Sequence, residues 1–366
     1  MHIEQGTCFA IFAYDIGTAI DLDQADQRIT ATKKRDRLKR KRPTPRYFDY
    51  RPPPLRISQE AESLEIGEKR TRPSVDVVLY DFGAVSVIYA IPLQGPFDAL
   101  LPLSEALYEN ERLLEESRQR VNLLVKTIAT AVEKPNIASF VEDYLIFHIE
   151  ATEPTFTATN IVATWSPEIA QILRCEREPL SDEEVHDSTS YHIAFGKHDI
   201  SFIDWNGALI YGEEMEDVCA VLEFANVELL ERRYLDDQLD TALDQAYESL
   251  TKYQWQHFRW PGSFHTDLRG IGQLQVDSAI LFERVTNALK LLGDQYLARV
   301  YRLTSQRFHL QGWDAGIHRK LETIASVYEK LADQTGNRRM EVLEWIIIIL
   351  IAVSIILPFI PGFPGY

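Results

Sequence analysis

The chain has 366 residues, 45% of them hydrophobic and 11% aromatic, which suits an ordinary core divided over two or three domains. Its three cysteines, Cys8, Cys175 and Cys219, are far apart and form no CxxC pair, which argues against a disulfide framework or a zinc ribbon and fits a reducing compartment. The net charge of -17 is unevenly spread: Arg28 to Arg56 holds 12 Lys/Arg against Asp36 and Asp49, so the rest of the chain is far more acidic than the total suggests.

Residues 1–16 read as an N-terminal strand, with an apolar run from Thr7 to Ile16. Residues 17–72 read as a basic, proline-rich arm. Its densest part is Lys33, Lys34, Arg35, Arg37, Lys39, Arg40, Lys41 and Arg42, eight bases in ten positions, with Pro43, Pro45 and Pro52-Pro53-Pro54 following. Such a segment buries too little apolar area to fold alone. It would contact anionic lipid, where each base near the surface contributes about 1 kcal/mol, or RNA or DNA phosphates, or it would be a solvated loop docked on the protein's own acidic surface. Arg46-Tyr47-Phe48-Asp49-Tyr50-Arg51 adds aromatics among bases, a weak stacking signal.

Residues 73–212 read as an α+β domain with a mainly antiparallel sheet. Val75 to Tyr89 gives two strands around Asp81-Phe82-Gly83, or one long bent strand. Helical patches follow at Leu103–Glu133 and Pro167–Arg174, with a strand near Leu145–Ala151. Tyr191–Phe195 and Ile200–Trp205 flank Gly196-Lys197-His198-Asp199 as a hairpin, and Asn206-Gly207 turns into a last strand, Ala208–Tyr211.

Residues 213–335 change to helical periodicity. Val218, Leu222, Ala225, Leu229 and then Leu239, Leu243, Ala246, Leu250 and Tyr253 are spaced by 4 and 3, a coiled-coil seam. Arg232 and Asp236 occupy its two missing places. They would pair with each other or with a facing helix and fix register, unless the helix turns to bury Leu230 and Tyr234 instead. Ser278–Phe308 and Trp313–Leu331 read as two further helices, making a helical hairpin or three-helix stalk.

The tail, residues 342–360, reads as a membrane-spanning or membrane-inserted helix through Trp345, Ile346, Ile347, Ile348, Ile349, Leu350, Ile351, Ile355, Ile356 and Leu357. No charge follows Trp345, and Arg338 and Arg339 precede it. Pro358 stops it early: Trp345 to Leu357 is 13 residues, roughly 20 Å of helix against a hydrocarbon core of about 30 Å. The readings are a short tilted span, a shallow insertion or a buried helix at an oligomer contact. A span would leave the bulk of the chain on the cytoplasmic side, and Met1-His2-Ile3-Glu4 opens no signal peptide.

Three pieces taken together carry a resemblance: Val77–Val87, Ala225–Asp236 and Leu343–Ile351. In that order and spacing the chain resembles the Rmd1/Sif2 family, also called DUF155, over about residues 70–355. The resemblance implies a membrane-anchored protein with a soluble α/β region and C-terminal helices; eukaryotic members are linked to mitochondrial translation and inner-membrane organisation. It carries over no catalytic residues. The absence of an Arg-rich, acid-poor N-terminus suits a prokaryotic member.

Catalytic motifs are sparse. There is no GxxxxGK[ST], GxSxG or HExxH, and Asp81-Phe82-Gly83 has no accompanying kinase motifs. His186, Asp187, His192, His198, Asp199 and Asp204 are metal-ligand types within a short stretch, yet scattered surface histidines explain them better. The expectation is a non-enzymatic, membrane-anchored scaffold without cofactor or metal. It would present the α+β domain to a protein partner and self-associate through helices 213–331. The alternatives are nucleic-acid or ribosome contact through residues 33–42 and, distantly, a metal-dependent hydrolase.

Overall fold

The structure, a computed structural model, describes residues 1–29, 33–35, 52–255 and 295–327, together with Glu344, Ile347, Ile348 and Ile351. The strands are β1 (His2–Asp15), β2 (Ala19–Ile20), β3 (Lys33–Arg35), β4 (Leu55–Glu60), β5 (Glu65–Ile66), β6 (Lys69–Arg70), β7 (Ser74–Leu79), β8 (Ala84–Pro96), β9 (Val132–Glu133), β10 (Glu142–Glu153), β11 (His192–Ile193), β12 (Ile200–Ile203) and β13 (Gly207–Tyr211). The helices are α1 (Leu22–Arg28), α2 (Leu100–Leu107), α3 (Glu111–Ile128), α4 (Ala158–Arg174), α5 (Asp182–Ser190), α6 (Glu216–Trp255) and α7 (Gln295–Arg307); a further helical run covers 310–327.

Nine strands form one sheet in the order β11-β12-β13-β10-β1-β8-β7-β4-β3. The sheet is mixed, because β10 and β13 run parallel while β1 pairs antiparallel with both β8 and β10. Alternation along β1 sends Cys8, Ala10, Phe12 and Tyr14 to one face and Ile11 and Ala13 to the other. The first face packs against Leu103 of α2, Leu113 and Val121 of α3, and Ile161 and Ile169 of α4. The second packs against Val218, Leu222, Ala225 and Leu229 of α6 and Leu297 and Val300 of α7. Helices on both faces explain why β1 and β8 read as nearly continuous apolar runs.

Local chemistry sets the element ends. Asn110 accepts from Leu113 N at 2.9 Å and caps α3. Glu109 ahead of it takes φ 48°, so the single helix expected over 103–133 divides into α2 and α3. Thr157 caps α4, which therefore starts before Pro167. Gly83 closes the β7–β8 turn: Tyr80 N donates to Ala84 O at 2.9 Å and Gly83 N to Tyr80 O at 3.2 Å.

The chain groups into two compact units: Met1–Leu235 with Ala279–Asp314, and Asp236–Ser278 with Ala315–Tyr366. The helical part therefore does not separate from the sheet at residue 213. The first half of α6, and α7, belong to the sheet's own unit. Of the two later helices expected from the sequence, the parts at 278–294 and 328–331 lie outside the described residues.

The C-terminal hydrophobic membrane helix expected over 342–360 is overturned: no helix among the described residues is long and apolar enough to cross a membrane. Glu344, Ile347, Ile348 and Ile351 are described there, as helical, whereas Trp345, Ile346, Ile349, Leu350, Ile355, Ile356 and Leu357 lie outside the described residues. The physical reason is length, since the uncharged run meets Pro358 about 10 Å short of a bilayer core. The transmembrane and tail-anchor assignments, and the cytoplasmic placement that rested on them, are corrected with it.

Candidate functional site

The most concentrated chemistry lies where the end of β1 and the start of β10 meet α6. Ala13 pairs with Glu142 across the β1–β10 ladder, so Asp15 and Glu142 share one end of the sheet. Above them α6 is buried on every side through Glu223–Arg232, apart from a half-buried Phe224. Glu228 and Glu231 are 0% and 5% exposed. Tyr301 of α7 donates its hydroxyl to Glu228 Oε2 at 2.5 Å. Arg232 Nε donates to Asp314 Oδ1 at 2.7 Å, and its NH1 lies 3.7 Å from Glu228 Oε2. Arg233 turns to the sheet, pairing with Glu142 and lying 4.5 Å over the Phe140 ring. Asn226 Nδ2 donates to Glu142 O at 3.3 Å.

Burial dominates the charge states. It pushes Asp15 up to about 7, against a backbone hydrogen bond from Gly17. It pushes Glu142 to about 7 against Arg233, and Glu228 to about 7 against Arg232 and Tyr301. Glu231 rises well above the usual carboxyl range through burial and then the Asp15 charge, with Arg232 opposing. Oε1 of Glu228, Oε1 of Glu231 and Oδ1 of Asn226 meet no hydrogen-bond partner among the described residues.

A second charged cluster joins α4, α5, α7 and the β12–β13 turn. Asp204 is fully buried. Its Oδ2 accepts from Ser188 Oγ at 2.7 Å and lies 2.7 Å from Arg174 Nε; its Oδ1 accepts from Arg307 Nε at 2.9 Å and Trp205 N at 2.8 Å. Asp187 bridges Arg174 and Arg307 at 2.6 and 2.8 Å. The Arg307 guanidinium lies 4.9 Å over Tyr191.

Of the histidine-and-carboxylate stretch, this cluster takes up Asp187 and Asp204. His186 is exposed. His192 Nδ1 lies 2.7 Å from Thr189 O, and His198 Nδ1 lies 3.1 Å from Phe156 O. Asp199 accepts from Phe195 N and Gly196 N. No group of three such side chains among the described residues is arranged to hold a metal.

The register residues are engaged separately. Arg232 meets Asp314, while Asp236 Oδ1 lies 2.7 Å from Lys320 Nζ, which also reaches Asp240 at 2.7 Å. Each therefore finds a charge on a later segment rather than the other. Of the basic run, Lys33, Lys34 and Arg35 form the outermost strand β3, opposite Ile57, Arg56 and Leu55. Arg37, Lys39, Arg40, Lys41 and Arg42 lie outside the described residues. Sequence reading missed Asp15, Glu142, Glu228 and Glu231. The available signal was two carboxylates falling between the buried positions of α6.

Residues 5–217 match the family model described as "Uncharacterized protein MJ0711, N-terminal domain". Among curated proteins, "Uncharacterized protein MJ0711" of Methanocaldococcus jannaschii is 23% identical over 256 residues, spanning 68% of this chain and 76% of that protein. No solved structure matches. Neither match bears on the Rmd1/Sif2 resemblance.

Proposed function

The chain belongs to the family of the MJ0711 N-terminal domain, and within it we propose a non-enzymatic scaffold that presents the sheet-and-helix unit to a protein partner and self-associates through its later helices. The observation that carries this is the use made of the chemically capable side chains. Asp204, Arg307, Arg174, Glu228 and Arg232 each tie one element to another inside the fold. A framework fastened in this way suits a rigid platform. Helix α6 adds a second support: 40 residues long, it packs on the sheet through its first half and continues into the second unit, where Asp236 and Asp240 pair with Lys320.

Sedimentation and cross-linking of the full chain over a range of concentrations test the reading. The expected result is concentration-dependent self-association, with a stoichiometric partner that rebinds after the two are purified separately. A monomer at every concentration with no such partner overturns it. So does a catalytic turnover lost in a Glu228→Gln variant of unchanged stability.

Nucleic-acid contact is a second reading, favoured by β3, which sets Lys33–Arg35 on the rim of the sheet with one neighbouring strand. It requires RNA binding that weakens steeply with salt and disappears when Lys33, Lys34 and Arg35 become Gln. RNA binding that survives those changes excludes β3 as the contact.

A further inference from the structure

Helix α5 is fastened by charge rather than by apolar packing. It carries Asp182, Glu183, Glu184 and Asp187 and no Lys or Arg. Its buried side chains are Ser188 and Thr189, Val185 is half-buried, and among the described residues α5 contributes no side chain to either apolar core. Two arginines hold it. Arg174 of α4 and Arg307 of α7 both reach Asp187 Oδ2, at 2.6 and 2.8 Å, and Arg307 NH1 donates to Asp187 Oδ1 at 3.3 Å. Arg174 NH1 also lies 3.6 Å from Glu184, and Ser188 donates to Asp204. The Asp187 and Glu184 side chains are 51% and 53% exposed, so water and salt compete for both contacts.

The arginines keep their positions without α5. Buried Asp204 lies 2.7 Å from Arg174 Nε and accepts from Arg307 Nε at 2.9 Å. Lifting α5 takes Glu184 and Asp187 away together and leaves two guanidinium groups against the single carboxylate of Asp204. What remains is a preorganised clamp of net positive charge, and Asp187 is the carboxylate that fills it.

We propose that α5 is a detachable acidic cover, and that Arg174 and Arg307 beneath it bind a carboxylate from an acidic segment of a protein partner in place of Asp187. The occupant follows from the one seated there, a helix of 9 residues whose charged side chains are all acids apart from His186. Because α5 is tethered, it competes at high effective concentration, and the partner's affinity is set by the fraction of molecules in which α5 is open. The acidic segment is the partner of the scaffold reading, on which this assignment rests. Neither test below needs that partner, so failure here leaves a partner bound elsewhere, and absence of any partner leaves the clamp measurable.

Hydrogen exchange of the full chain reads the cover. Residues 182–190 should exchange about fivefold faster in Asp187→Asn than in wild type, with α4 unchanged. Equal rates in the two proteins, or a loss of protection shared by α4, overturns a local cover. Titration with hexaglutamate reads the clamp. The peptide should bind Asp187→Asn about fivefold more tightly than wild type, because the internal competitor is weakened. It should also deprotect α5 in wild type, a readout that needs no variant. Adding Arg174→Gln to Asp187→Asn should remove the gain. Hexaglutamine and inorganic phosphate at matched ionic strength serve as controls. No binding of hexaglutamate, equal affinity for both proteins, a gain that survives Arg174→Gln, or the same deprotection of α5 by either control overturns the assignment.

Discussion

Asp204 is fully enclosed and faces two guanidinium groups, a serine hydroxyl and a backbone amide. Asp204→Ala should therefore destabilise the chain by about 3–5 kcal/mol, because Arg307 would be left buried without its closest counter-ion. Denaturant unfolding checks this, and a loss below about 1 kcal/mol would contradict it. Lys320 offers a contrast. It meets Asp236 and Asp240 at 2.7 Å, but Asp240 is 59% exposed. Lys320→Ala should cost no more than about 1 kcal/mol in the same experiment. Arg232 was legible because it interrupts an apolar seam, and such an interruption requires a partner. Glu228 and Glu231 were not, because a seam marks one stripe of a helix and α6 is buried around most of its circumference through Glu223–Arg232. Asp15 and Asp204 stand at strand ends, where acids commonly mark turns, and their burial depends on helices distant in sequence.

Among the elements, the turn between β7 and β8 has the strictest steric requirement. Gly83 has φ +107°, and a Cβ there would sit 1.7 Å from the Gly17 carbonyl oxygen. Ile16 N donates to Gly83 O at 2.9 Å, so this contact joins the end of β1 to the turn. Gly83→Ala should cost on the order of 1–3 kcal/mol from backbone conformation alone, with the clash adding to it. A melting temperature within a degree of wild type would refute the close approach. Asp81-Phe82-Gly83, which spells a kinase motif, is thus explained by packing. Elements with local signals were readable: β7 and β8 from β-branched runs, and β11 and β12 from the Gly196–Asp199 turn. The polar helix α5 was not, since Asp182–Ser190 contains a single aliphatic residue, Val185, although Ser181 and three acids mark its start. The parallel β10–β13 pairing also escaped, because periodicity shows that a strand exists and says nothing of its neighbour.

At the scale of the whole molecule, buried acids and a net charge of -17 act together. Asp15, Glu142 and Glu228 are each raised by burial to about 7, whereas in the unfolded chain they titrate near about 4. Between those values the folded state holds more protons than the unfolded state, so folding stability must fall as pH rises. Their contribution is complete below about pH 4 and is lost as pH passes through about 7. Overall negative charge adds self-repulsion above the sequence pI of about 5.0. Asp187 acts in the opposite sense. Hydrogen bonding from Arg307 holds it below the ordinary range, so its contribution disappears on acidification; at 51% side-chain exposure that contribution is small. Stability should therefore be greatest near about pH 4–5 and decline by at least about 1 kcal/mol towards pH 8. Denaturant midpoints of the full chain measured across that range check the decline. Added salt should recover the part due to surface repulsion and leave the buried part, because screening acts on solvent-exposed charge. The combined Glu142→Gln and Glu228→Gln substitutions should flatten the salt-resistant part. An unchanged slope in that variant would show that the pH dependence arises outside the layer between α6 and the sheet.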